Sequence, residues 1–384
     1  MQAVKQNQRT ENLKEAHPPK VNLQKIVKPY SKPVEWKSWW QVANTLIPLG
    51  LTLVMAYKML SVSYLASFAF SFLASLFIVR TFIIMHDCGH GSFFKSKKKR
   101  DFVGTLTGII CSTPYKQWTR EHAAHHQDSG NLDKRGRGDV WTMTLEEYRK
   151  ASWKEKLGYY LYRHPFITFV IGPIFIFQFR HRITLKTDRP EEKRNVHFTN
   201  LALLAIIVGF GSWIGYKNFF MIYAPMLFFG ELFGCLLFYV QHQYEDVYWR
   251  EGKDWNYNVA ALEGCSYLKL PKVLQWFSGN IGFHHLHHLN HRVPNYNLEA
   301  CYEDNEVFQD CTVLTLKDII PCIRMKVYDE EKGRLLTWKQ ARVRLAEIQE
   351  LATKAFQETL SENVAHVSEH VSELKPKARQ YSSL

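Results

Sequence analysis

The sequence predicts an all-α integral membrane protein: four transmembrane helices in two hairpins, interfacial helices, and a cytoplasmic histidine-rich domain that holds a dimetal centre. Three observations support this fold class. The apolar residues are concentrated in runs of about 20 residues, basic stretches separate these runs, and histidines cluster just beyond them. With 46% hydrophobic residues, the chain is too apolar to be disordered.

Four apolar runs are long enough to cross a bilayer. The spans are predicted at about 42–60, 64–85, 198–216 and 219–240. At 1.5 Å per residue, a helix of about 20 residues matches a hydrocarbon core of about 30 Å. Few residues join the two runs of each pair, so each pair is predicted to form a hairpin.

Two shorter apolar segments, 102–111 and 166–179, are predicted to be interfacial or re-entrant helices. The second carries Gly172 and Pro173 in its middle. If it crossed the membrane, the basic segment 180–194 would lie on the far side, which the positive-inside rule disfavours. With four spans, the N-terminus, the central loop and everything after Val240 are predicted to be cytoplasmic.

The two ends of the chain differ from the membrane domain, which is predicted at 41–330. Residues 1–40 are predicted to be a solvated basic tail, and residues 331–384 an amphipathic helix with a tail. The apolar stripe of that helix leaves three interpretations open: packing on the cytoplasmic domain, a coiled-coil contact that forms an oligomer, or a membrane-surface helix.

The cysteine pattern excludes other classes of site. The seven cysteines are scattered without a C-x-x-C pair, so reduced thiols are predicted in place of a disulfide framework or a zinc ribbon. No nucleic-acid partner is predicted, although the formal net charge is +13.

Three histidine clusters carry the chemistry. They are His86 with His90, His122-Ala-Ala-His125-His126, and His284-His285-Leu-His287-His288. Residues three or four apart lie on one helix face with their Cβ atoms about 5–6 Å apart, so their imidazoles can converge on one metal ion or a close pair. Segment 281–291 alone holds five of the 17 histidines, which excludes chance.

The clusters lie on one side of the predicted membrane, where His242 follows the last span by two residues. Eight of the nine cluster histidines together with His242 are too many ligands for one ion and suit two. Imidazole binds Fe, Zn or Cu, so the ligand type does not name the metal. Asp87, Glu121, Asp139 and Asp246 are candidates to accept the second ring N–H of a ligand.

These clusters and the residues around them resemble the membrane fatty-acid desaturase family, whose pattern is H-x(3,4)-H, H-x-x-H-H and a later [HQ]-x-x-H-H. The resemblance extends to His86-Asp-Cys-Gly-His-Gly-Ser-Phe-Phe94, Gly279-Asn-Ile-Gly-Phe-His-His-Leu-His-His288 and Arg292-Val-Pro-Asn-Tyr296. Within the family, the sequence is most similar to bacterial acyl-lipid desaturases of the Bacillus phospholipid Δ5 type, and next to the Δ12/ω-6 enzymes. The resemblance covers roughly residues 30–340.

The resemblance implies a di-iron centre of two Fe ions, O2 as co-substrate, a membrane-lipid acyl chain as substrate and the insertion of one cis double bond. The position, Δ5 or Δ12/ω-6, stays open. The implied ligands, which are also the catalytic residues, are His86, His90, His122, His125, His126, His242, His284, His287 and His288. His285 and His291 have no counterpart in the pattern and are predicted to be surface residues or neighbours of ligands. A bacterial inner-membrane location is expected.

The electron supply and one buried acid complete the predictions. No nicotinamide, flavin or haem motif is present, so an external donor such as ferredoxin, flavodoxin or cytochrome b5 is required. The basic segment 95–100 is a candidate to dock that donor or to bind anionic headgroups. Glu231 lies in the last span, where it either lines the acyl cleft or bonds to a neighbouring helix.

Two other functions remain as alternatives. Alkane or carotenoid hydroxylases share related histidine boxes and make an alcohol where a desaturase makes an alkene. A multi-pass metal transporter is also rich in histidine, but transport sites lie near the bilayer midplane, whereas these histidines lie beyond the predicted spans.

Overall fold

The computed structural model describes residues 21–136 and 138–378, most of which are helical. In chain order the helices are α1 (Leu23–Val27), α2 (Glu35–Met59), α3 (Tyr64–His90), α4 (Lys97–Ile110), α5 (Tyr115–Asp128), α6 (Leu145–Lys150), α7 (Trp153–Tyr162), α8 (Gly172–Ile174), α9 (Pro190–Ile214), α10 (Tyr216–His242), α11 (Tyr257–Glu263), α12 (Lys272–Phe277), α13 (His284–Leu289), α14 (Asn295–Glu303), α15 (Ile319–Arg324) and α16 (Trp338–Ala378). The short strands are β1 (Tyr267–Leu268), β2 (Val313–Leu314), β3 (Met325–Asp329) and β4 (Arg334–Thr337). Strand β1 pairs with β2 in parallel, and β3 pairs with β4 antiparallel.

Helices α2, α3, α9 and α10 are the four long apolar helices that the sequence predicts, and each is long and apolar enough to cross a membrane. Each has 25 or 27 residues, because the helices continue past the apolar runs. Helix α3 continues past Met85 to His90, and α10 ends at His242. The added turns carry histidines, so the candidate site begins on the ends of the spans themselves.

Helix α3 is the central helix of the bundle and packs against both α2 and α10. Of its most apolar part 61% is buried, against 17% to 28% for the other three. Its buried face carries Ser67, Ser71 and Ser75, and α2 buries Thr45 and Thr52. Small side chains let membrane helices approach closely. This close packing fixes the position of α3, whose last turns carry His86 and His90.

Segment 166–179, predicted to be interfacial or re-entrant, is a bent helical run. Two stretches of π-helix, Ile167–Ile171 and Phe175–Phe179, flank α8, and the run makes an angle of 61° with α7. Gln178 Nε2 donates to Glu231 Oε1 of α10 at 2.5 Å. Counting α7 and this run as one broken span would give five crossings, so the four-span topology stays a prediction.

The N-terminal segment differs from its prediction. Residues 1–20 lie outside the described residues, but the prediction of a solvated tail is wrong for the part that follows. Leu23 and Val27 are buried in a cluster with Phe283, and Gln24 Nε2 donates to the carbonyl of Leu289 at 2.8 Å. Pro29 and Pro33 do not prevent this packing, because both follow α1 in chain order.

The C-terminal segment differs as well. The β3–β4 hairpin occupies part of the region predicted to be helical from residue 331, and α16 begins only at Trp338. Ala341, Leu345 and Ile348 pack on the domain, whereas side chains from Leu351 to 370 are exposed. Packing on this domain therefore explains only the first turns of α16. For the rest of the helix, an oligomer contact and a membrane-surface helix both stay predictions.

The Glu231–Gln178 hydrogen bond should stabilise the bundle, because Glu231 is buried. Glu231→Leu would leave the Gln178 amide unpaired, and we expect a loss of about 1–3 kcal/mol in the free energy of unfolding. Glu231→Gln, which keeps an acceptor, should lose less. Thermal unfolding in detergent measures both.

A double-mutant cycle provides the control. If the bond accounts for the loss, Glu231→Leu combined with Gln178→Leu should be less destabilising than the sum of the two single changes. Strictly additive losses would show that the two side chains act independently.

Candidate metal centre

All nine predicted ligands meet at one end of the four long helices. Helix α3 contributes His86 and His90, α5 contributes His122, His125 and His126, α10 contributes His242, and α13 contributes His284, His287 and His288. Seven of them are at most 6% exposed, and His90 and His122 are half-buried. The structure therefore assembles a buried histidine cluster from four separate helices.

Glycine-dependent turns place two of these helices. Gly91 has a φ of 75° and ends α3 directly after His90. The turn that leads to α13 contains Gly279 and Asn280, both in the left-handed region with φ of 54° and 57°. A Cβ at Gly279 would lie 2.8 Å from Ile83 Cγ2, so this turn packs directly on α3 and brings α13 beside it.

The first group consists of His86, His90, His122, His126 and His287, whose ligand atoms all lie within 4.8 Å of one another. Within it, His126 Nε2 lies 3.1 Å from His122 Nε2 and 3.0 Å from His287 Nε2. The five ring nitrogens of this group come from three helices, α3, α5 and α13.

The second group consists of His125, His242 and His288, again with ligand atoms within 4.8 Å of one another. His242 Nε2 lies 3.3 Å from His125 Nε2 and 2.9 Å from His284 Nε2. With His284 added, this group has four rings and lies beside the first, since the His126 and His288 ring centroids are 4.1 Å apart.

The donor set fits a pair of metal ions. His126 Nε2 carries either one proton or one lone pair, so it can make a good hydrogen bond with only one other ring nitrogen. It has two such neighbours, His122 Nε2 and His287 Nε2. The buried Nε2 atoms of His90 and His288 have no hydrogen-bond partner at all among the described residues. Two nitrogens that each bind an ion at about 2.1 Å and at right angles are about 3 Å apart, which is the spacing at both points.

The protonation states agree with metal binding. Burial lowers the pKa of five rings outside the spans well below the ordinary histidine value: His122, His126, His284, His287 and His288. Neighbouring imidazoles act in the same direction. These rings are therefore neutral near pH 7, and neutral imidazole is the form that binds metals.

Two of the four predicted acids contact the rings of predicted ligands. Asp87 Oδ1 lies 2.9 Å from His86 Nδ1, and its Oδ2 accepts from the backbone N–H and the side-chain amide of Asn295 at 2.7 and 2.9 Å. Asp139 Oδ1 lies 2.5 Å from His125 Nδ1. A proton held on Nδ1 leaves the Nε2 lone pair directed into the cluster.

The other two acids do not have this role. Glu121 accepts from Arg180 Nη2 at 2.7 Å, because the basic segment after the bent run folds over α5. Among the described residues, no hydrogen bond joins Asp246 to a histidine. Both acids are close to predicted ligands in the sequence, but proximity in sequence does not determine the direction of a side chain.

The structure also places residues to which the sequence assigned no definite role. His285 is fully buried, with Nε2 3.2 Å from the Phe308 carbonyl, so it is a packing residue and not a surface residue. The His291 ring is 4.8 Å from the His90 ring. Asn295, which donates hydrogen bonds to Asp87, lies in the Arg292-Val-Pro-Asn-Tyr296 motif. That motif is the feature of the sequence that could have identified it.

All seven cysteines are free, as predicted, and Cys265 Sγ lies 3.7 Å from His242 Nδ1.

Known proteins with similar sequences are fatty acid desaturases. The family model described as fatty acid desaturase matches residues 63–311. A fatty acid desaturase of Bacillus subtilis is 42% identical over 317 residues, which is 83% of this chain and 90% of the relative.

More distant relatives come from Synechocystis. An sn-1 acyl-lipid omega-3 desaturase (ferredoxin) is 31% identical over 58% of this chain and 62% of its own length. An sn-1 oleoyl-lipid 12-desaturase is 26% identical over 73% of this chain and 80% of its own length. The resemblance seen in the histidine motifs is thereby confirmed, and the chain belongs to the fatty acid desaturase family.

Proposed function

We propose that this desaturase is an O2-dependent acyl-lipid enzyme that inserts a cis double bond into the acyl chain of a membrane phospholipid, with nine histidines holding two iron ions. The observation that carries the proposal is the convergence of two groups of imidazole nitrogens at the ends of apolar helices. The names of the relatives, which include acyl-lipid and oleoyl-lipid desaturases, support an alkene product over an alcohol.

Each part of the site has a definite task in this chemistry. Bound iron would supply the activation of O2 that is needed to remove hydrogen from an unactivated methylene. The Nε2 atoms of the nine histidines would hold the two ions, and Asp87 and Asp139 fix the rings of His86 and His125 through Nδ1. The burial of the cluster keeps bulk water away from a reactive centre.

The position of the cluster suits an insoluble substrate. Because the ligands extend from the last turns of α3 and α10, an acyl chain can reach them from the bilayer while its headgroup stays at the membrane surface. We propose a position of Δ5 or Δ12/ω-6 for the double bond. We also propose that the histidine side faces the cytoplasm at a bacterial inner membrane, which the basic segments on that side support.

The electron balance requires a partner. Reduction of O2 to two waters takes four electrons; the substrate gives two, and an external donor gives the other two. We propose ferredoxin as this donor, which the name of the Synechocystis relative supports, with flavodoxin and cytochrome b5 as alternatives.

The basic segment 95–100 has less free charge than its sequence indicates. Lys97 Nζ pairs with Asp101 at 2.7 Å, and Lys99 Nζ pairs with Glu35 at 2.7 Å. In the described part of the chain, no carboxylate lies within ion-pair distance of Lys95 or Lys98, and both are exposed. We propose that these two lysines contribute most of the charge that attracts an acidic donor.

Expression in a bacterial host that cannot make unsaturated fatty acids tests the function. We expect membrane phospholipids with one new cis double bond, located by mass spectrometry. In the same host, His287→Ala should lower the yield more than about 100-fold, since changes that merely surround metal ligands already cost roughly 10–100-fold.

His164→Ala is the matched control, because His164 is exposed and lies outside the cluster. It should give the wild-type yield. Near-normal desaturation by His287→Ala at equal expression would contradict the ligand assignment, and a hydroxylated product would favour the hydroxylase alternative.

Charge removal tests the donor surface. We expect Lys95→Gln combined with Lys98→Gln to slow turnover with reduced ferredoxin roughly two- to fivefold at low ionic strength and to flatten the salt dependence. Steady-state rates over a range of salt concentrations measure both effects.

The control pair is Lys58→Gln with Lys217→Gln, which removes two exposed charges at the opposite ends of the spans. Its rate and salt dependence should match those of the wild type. A Lys95/Lys98 variant with unchanged rate and salt slope would show that the donor docks on another surface.

A further inference from the structure

Arg80 is a buried cation inside the second transmembrane helix. It lies in α3, six residues before His86, which is about 9 Å along the helix axis. Its side chain is 7% exposed. Charged residues in a membrane span are costly, and by default they indicate function. The histidine cluster does not use this residue, so its role requires a separate explanation.

The contacts of Arg80 leave its charge uncompensated. Nε donates to Thr45 Oγ1 at 3.1 Å, Nη1 donates to the Trp276 carbonyl, and the guanidinium lies 3.9 Å from the centre of the Trp276 ring. All of these partners are neutral. Among the described residues, no carboxylate lies within ion-pair distance and no hydrogen bond involves Nη2. A buried charge with no counterion is unfavourable, so an anion beside Nη2 would stabilise this arrangement.

The surroundings of the short helix α12, which carries Trp276, indicate which anion can reach the Arg80 guanidinium. Val273 is 67% exposed and Trp276 38% exposed, and Lys272 is exposed beside them. Exposed apolar and aromatic side chains next to a lysine are typical of a helix at the membrane interface. The phosphate of a phospholipid headgroup is the anion found at that level. Guanidinium groups bind phosphate through strong charge-assisted hydrogen bonds.

We propose that Arg80, with Trp276 and Lys272, binds the phosphodiester of a membrane phospholipid and holds the headgroup of the substrate beside the histidine cluster. This proposal rests on the proposed function, because it assumes that the enzyme acts on phospholipid acyl chains. The site gives the enzyme a way to prefer intact phospholipids over uncharged lipids that carry the same acyl chains.

Native mass spectrometry of the full-length protein in detergent tests the proposal. The probes are phosphatidylglycerol and diacylglycerol with identical acyl chains, so that they differ in the phosphorylated headgroup. The wild type should retain phosphatidylglycerol about tenfold or more over diacylglycerol, the ratio expected from one charge-assisted hydrogen bond. Arg80→Gln should reduce this ratio to below about threefold, and Arg80→Lys should give an intermediate ratio.

Lys58→Gln is the matched control, because it removes an exposed cation from the opposite end of α2, and it should keep the wild-type ratio. No preference in the wild type would overturn the proposal even if no Arg80 variant folds. A full preference in folded Arg80→Gln would overturn it too. If millimolar inorganic phosphate displaces the lipid completely, the site binds free phosphate and the lipid proposal is wrong.

Binding is measured without turnover, so it separates this proposal from the proposed function. Absence of any double bond in the wild type would contradict the desaturase function and leave the lipid-binding result standing. If both proposals hold, Arg80→Gln should raise the phospholipid concentration for half-maximal desaturation about tenfold at unchanged metal content. An unchanged concentration would contradict the substrate role.

Discussion

The crowding of imidazole nitrogens is the constraint on which the rest of the structure depends. Two sets of ring nitrogens meet at separations near 3 Å in a buried space. Neutral imidazoles cannot satisfy one another there, because each ring nitrogen offers only one proton or one lone pair. Cations at both points would relieve the conflict, so the arrangement is compatible with a scaffold for two metal ions.

The bundle supplies the rigidity that such a centre needs. Helix α3 is the most buried of the four long helices and carries the first two predicted ligands on its last turns. Asp87 then joins two parts of the chain that are far apart in sequence, since it contacts both His86 and Asn295, just beyond the third cluster. The close packing of α3 in the bundle therefore also fixes the positions of His86 and Asp87 in the site.

The sequence predicted what depends on local spacing. Helical periodicity placed the histidines of each cluster on one face, and apolar runs located the four long helices. Contacts between distant segments were not predictable in the same way. The pairing of Glu121 with Arg180 and the packing of Leu23 beside Phe283 depend on tertiary folding. Arg80 gives little signal in the sequence, because one charge hardly changes the mean hydropathy of a 27-residue helix.

The count and identity of the bound metal test the central claim most directly. Elemental analysis of the purified full-length protein by plasma mass spectrometry gives the number of ions, and X-ray absorption spectroscopy gives their ligands. The account predicts two iron ions per chain in a shell dominated by nitrogen. One ion per chain in the active enzyme, or a shell dominated by oxygen, would contradict it.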